Sequence, residues 1–165
     1  MEEIKRMQDN LLLIRRTVGW SATKLGEEIG VTRQTINNIE NGRNKLNKTQ
    51  YIAIRSVLDA EINSSVHDTD MLKILLEVLV DNPEKYSENL RKEMIDKANL
   101  MVPGILAGSV SREKVSKEWI KILPTAVGAF LLPSPVAGLG LVSVSYWLQK
   151  LVNNKKAEEE NNDSK

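Results

Sequence analysis

Cysteine is absent from the 165 residues, and histidine occurs once, at His67. The chain therefore offers no disulfide, thiolate metal site or thiol nucleophile. A lone histidine in a polar stretch is read as solvated, so Ser–His catalysis and His-ligated metal are not expected. Neither a G-x-x-x-x-G-K-[ST] loop nor a G-x-G-x-x-G fingerprint occurs. Gly138-Leu139-Gly140 lacks the third glycine. The only dense carboxylate run, Glu158 to Glu160, sits in a polar tail and reads as solvated. These absences predict no enzyme and no cofactor or metal. Acidic Glu2 and Glu3, with no apolar core of signal length after them, give no reason to expect a secretory signal.

Net charge is also low, at +1, but it is uneven. Residues 1–60 carry ten basic and seven acidic residues, and the remainder carries thirteen and fifteen. The basic excess coincides with the most informative stretch, Leu25 to Gly42: L-G-E-E-I-G-V-T-R-Q-T-I-N-N-I-E-N-G. Apolar Leu25, Ile29, Val31, Ile36 and Ile39 mark two short helices. Gly26 permits close approach of two helix axes, and Gly30 suits a left-handed helix end. Thr32 is an N-cap for the second helix, and Asn41-Gly42 stop it. Arg33, Gln34, Thr35, Asn37 and Asn38 fall on faces away from the core. Amides there can pair with adenine, and an arginine with guanine or phosphate. The bland alternative is the solvated face of a small bundle; the agreement of turn, caps and amide-rich face favours DNA reading.

On these residues the segment from about Asp9 to Leu58 resembles the Xre/Cro-type (lambda-repressor-like) helix-turn-helix family. The resemblance implies a compact bundle of four or five helices that binds a palindromic operator as a dimer. It implies Thr32, Arg33, Gln34 and Thr35 at the start of the recognition helix, Asn37 and Asn38 further along it, and Arg43 near the DNA backbone. The family commonly places a glutamine after the cap of the first motif helix, where it touches phosphate. Here Ser21 is the expected cap and Ala22 follows, so Thr23 or Lys24 would have to replace that contact.

Elsewhere the spacing predicts a helix over 8–18 with Leu11, Leu12 and Ile14 inward, closed by Gly19 and covered by Trp20. A further helix is expected over 47–58, with Tyr51, Ile54 and Leu58 on one face. Thr69 is placed to cap an apolar helix over 71–80 that stops at Asn82-Pro83. That helix either closes the DNA-binding domain or forms a dimer interface, with the interface favoured. Charged amphipathic helices follow over about 83–100 and 111–121.

From Ile122 to Gln149 no residue is charged. Length permits a membrane span, which needs about 20 apolar residues. Trp119 lies at one end and Tyr146 and Trp147 at the other, as interfacial aromatics would. Pro133-Ser134-Pro135 divides the run, however, and favours a buried helical hairpin slightly over insertion.

The sequence thus predicts an all-α chain: a helix-turn-helix domain over 1–62, a link over 63–68, a helical dimerisation or regulatory region over 69–121, an apolar helical hairpin or membrane segment over 122–150, and a disordered tail over 151–165. The expected function is a cytoplasmic transcriptional regulator, a repressor binding double-stranded DNA as a homodimer. The alternatives are a membrane-associated interaction protein, touching the inner face of the cell membrane through Trp119 to Trp147, and an antitoxin.

Overall fold

A computed structural model describes residues 2–64 and 69–122 of the chain. They form seven α-helices, and no strand occurs among the described residues. In order these are α1 (Glu2–Thr17), α2 (Ala22–Ile29), α3 (Arg33–Glu40), α4 (Lys48–Asn63), α5 (Asp70–Leu76), α6 (Glu88–Leu106) and α7 (Arg112–Ile122). A π-helical turn over Glu77–Asp81 prolongs α5, and a 3-10 turn over Pro83–Lys85 leads towards α6. The all-α expectation holds. His67 and the apolar run after Ile122, with the hairpin expected there, lie outside the described residues.

Helix α1 begins six residues earlier than the spacing predicted. Glu2 and Glu3 in its first turn and Arg15 and Arg16 in its last complement the helix dipole. Ile4, Met7, Leu11 and Ile14 form its buried stripe. The helix is covered from two directions, by α3 and α4 and by α5, the π turn and α6. Leu13 is therefore buried, whereas Leu12, expected inward, is 38% exposed. Leu12 falls on the open stripe with Lys5 and Asp9, three and four residues apart along the helix. Trp20 is only half-buried; its carbonyl accepts a hydrogen bond from Arg15 Nη1 at 2.6 Å.

The apolar segment after Thr69 is a helix, but it ends differently from the sequence pattern. It widens into the π turn from Glu77, and the Thr69 side chain makes no cap bond. Met71, Leu72, Leu75, Leu76, Val78 and Val80 are each 2% exposed or less. A helix apolar on nearly every face has to be covered in this way. Its cover is within the chain, chiefly α1 and α7, so the face expected at a dimer interface packs against these helices instead. Arg6 Nε donates to the Val80 carbonyl at 2.8 Å, satisfying one group of the widened turn.

Pro83 opens a short 3-10 turn rather than the expected long helix. Helix α6 starts after Ser87, whose hydroxyl accepts from Leu90 N–H, and runs six residues past Leu100. Arg112 at the start of α7 bonds to Glu61 Oε1 at 2.6 Å, tying α7 to the end of α4. Trp119 is fully buried, so it is not free to lie at a membrane surface as one end of the expected contact. Among the described residues no helix is long and apolar enough to cross a membrane.

Two buried ionic clusters brace the helices. Arg15 forms a bidentate pair with Glu40, at 2.6 and 3.0 Å. Arg55 lies 2.7 Å from Asp81 and 3.6 Å from Asp59. Burial pushes the Asp81 carboxyl above its ordinary pKa, against the pull of Arg55.

Candidate nucleic-acid interface

Helices α2 and α3 are held at close quarters by local chemistry. The Ser21 hydroxyl accepts from Lys24 N–H and starts α2. Gly30 ends it at φ 72°, ψ 33°, a left-handed conformation that costs a residue without a side chain little. Gly26 is where the helices meet. A Cβ there would stand 2.6 Å from the Val31 carbonyl oxygen, so only glycine fits without backbone movement. The Thr32 hydroxyl then accepts from Thr35 N–H and starts α3. Ile36 and Ile39 of α3 are buried, at 0 and 1% exposure.

That anchoring fixes which faces of α3 look outward. Arg33 and Gln34 are exposed; Thr35, Asn37 and Asn38 are half-buried. Gln34 Nε2 donates to Asn38 Oδ1 at 2.9 Å. The two amides form one unit on the helix face, with a Gln34 N–H and both Asn38 N–H groups still available to a base edge. The Thr35 hydroxyl is hydrogen-bonded to that of Thr32 at 2.9 Å, and either can donate. At the far end Glu40 turns inward to Arg15, so no acidic side chain of α3 faces the solvent with the amides.

The segment after α3 adds positive charge. Gly42 adopts φ +69°, and Asn38 O accepts from both Arg43 N–H and Asn44 N–H. Arg43, Lys45 and Lys48 are exposed beyond it. Together with Arg33 they form no ion pair or hydrogen bond through their side chains among the described residues. These four exposed cations, on α3 and within eight residues after it, carry no compensating acid, the kind of electrostatic footprint that a polyanion needs.

The residues expected to help from α2 are placed less favourably. Ser21 is committed to its cap, and Thr23 is exposed but isolated. Lys24 is paired with Glu28, whose carboxylate raises the lysine pKa. A phosphate would have to compete with that carboxylate, so Lys24 is a weak substitute for the missing glutamine. Lys45 and Lys48 were missed by the sequence reading. Their signal was present, two further lysines within five residues of Arg43, but they lie past the helix-turn-helix stretch from which the sequence reading drew its candidates.

Helix α3, about 10–12 Å across with its side chains, matches the roughly 12 Å width of a DNA major groove. Residues 11–63 match the family model HTH_3, helix-turn-helix. No curated protein and no solved structure matches the chain. With its capped α2–turn–α3 pair and this match, the N-terminal third of the chain carries a helix-turn-helix of the Xre/lambda-repressor-like type.

Proposed function

We propose that the chain is a sequence-specific transcriptional regulator, a repressor that occupies a palindromic operator as a homodimer. The observation that carries this reading is the paired amides Gln34 and Asn38 on α3, together with four exposed cations on and just after that helix whose side chains have no partner among the described residues. The Gln34–Asn38 pair reads base edges; Arg33, Arg43, Lys45 and Lys48 meet phosphates. Four cations supply a modest electrostatic term, and a second copy doubles both the ionic and the reading contacts. The antitoxin and membrane-tether alternatives rest on the segment after Ile122, and no described residue favours them.

Selection of bound duplexes from a random pool by the full chain tests the reading. A recovered sequence with two inverted half-sites one helical turn apart is expected. Recovery of no preferred sequence, with binding that ignores salt, would overturn it. On the selected duplex, Gln34→Ala is expected to cost about 1–3 kcal/mol of base discrimination while leaving the melting temperature unchanged.

A further inference from the structure

Gln8 of α1 reaches across to the segment that follows α3. Its Nε2 donates to the Ile39 carbonyl at 3.0 Å and to the Asn44 carbonyl at 2.8 Å. Its Oε1 accepts from Leu46 N–H at 2.9 Å. One amide thus satisfies three backbone groups between the last turn of α3 and the start of α4. The orientation of the amide is unambiguous, because rotating it would set an oxygen against two carbonyls and an NH2 group against an N–H.

The segment it grips, residues 39–46, is held at its start by the Glu40 pair with Arg15, and its turn is closed by Gly42 N–H on Ile39 O and by Asn38 O. From Asn41 to Lys45 every residue is exposed, and Leu46 is the next buried one. Arg43 and Lys45 project from this segment as free cations. We propose that Gln8 is a positioning residue for DNA binding: it fixes the backbone from which Arg43 and Lys45 meet phosphate, without touching the duplex. The proposal rests on the DNA-binding reading of α3.

A double-mutant cycle on the full chain tests it, with a short random-sequence duplex as probe and affinity measured across a salt series. Gln8→Ala is expected to weaken binding several-fold at low salt. The salt slope should fall by about 0.9 for each phosphate no longer neutralised, and so by up to about 1.8 with both cations displaced. In an Arg43→Ala, Lys45→Ala background, Gln8→Ala should change neither affinity nor slope. Equal weakening in both backgrounds would mark Gln8 as merely structural and overturn the proposal. Amide hydrogen exchange in free protein gives a second readout. Leu46 N–H should lose protection in Gln8→Ala while the amides of α2 keep theirs; unchanged protection at Leu46 would also overturn the role. Should the unaltered chain show no salt-dependent binding, the DNA reading and this one fall together. Normal binding by the unaltered chain with an unaltered slope in Gln8→Ala removes only Gln8.

Discussion

The α2–α3 pair and the α5–α6 stretch are both helical, yet they are built on different principles. Between Ser21 and Gly42 every boundary carries a cap or turn formed by residues within four positions of it, with Gln8 and Arg15 of α1 adding to the hold on the end of α3. Ser21, Gly30, Thr32 and Gly42 each do locally what their chemistry allows. Between Thr69 and Asp81 side-chain caps are missing, and one freed backbone group is met by a partner far along the chain. Thr69 makes no side-chain cap, the helix widens at Glu77, and the Val80 carbonyl is taken up by Arg6. A surface of the kind proposed for α3 needs fixed geometry at its own scale, and local caps provide it. A core layer can accept an irregular turn if a neighbouring helix satisfies the freed groups.

The largest effect that would sharpen this contrast is expected at the Arg15–Glu40 pair, which joins α1 to the end of α3. Both side chains are about 5% exposed. Glu40→Ala leaves a buried guanidinium without its carboxylate and should cost about 3–5 kcal/mol in chemical denaturation. A cost comparable to that of an exposed pair would show that water enters the site. Gly26→Ala comes next. Its Cβ would press on the Val31 carbonyl, a backbone atom that cannot rotate away, and overpacking of this kind typically costs about 1–3 kcal/mol. Because the clash lies between α2 and α3, duplex affinity should fall further than stability alone accounts for.

Smaller effects separate the two regions by function. Thr32→Ala and Ser87→Ala each remove one N-cap and should each cost about 1 kcal/mol of stability by thermal unfolding. Only Thr32→Ala should also weaken DNA binding, since α3 is the helix proposed to read the duplex. Equal weakening of binding in both would break the comparison. The smallest effect concerns pH. The folded-state pKa of Asp81 lies above its ordinary 3.8. Its contribution to stability is therefore complete below that value and is lost as pH rises through the folded pKa. Unfolding free energies of Asp81→Asn and the unaltered chain, compared from pH 3.5 upward on the order of three units, should move in the variant's favour. A difference that stays constant would show that Arg55 fully offsets the burial.

How much was legible in the sequence follows the same division. The caps, the turn, Gly26 and the outward set from Arg33 to Asn38 could be read because each signal lies beside the structure it makes. The early start of α1 was missed because Gln8, Asp9 and Asn10 interrupt the apolar stripe that Ile4 and Met7 continue. Leu12 and Leu13 exchanged places because a helix covered from two directions has no single inward face. The apolar character of 71–80 was plain, but not its cover, since periodicity states that a face is buried and not by what. Gln8 gave no local signal at all. Its partners lie 31 to 38 residues away.

Helix α1 is shared property. Arg15 and Gln8 hold the end of α3, while Arg6 and the same helix's other side serve α5, the π turn and α6. The helix-turn-helix is therefore not a portable cassette. A fusion that transplanted residues 11–63 alone would leave behind Arg6 and Gln8 and strip the cover from Leu13, exporting the letters of the recognition helix without the hand that holds the page.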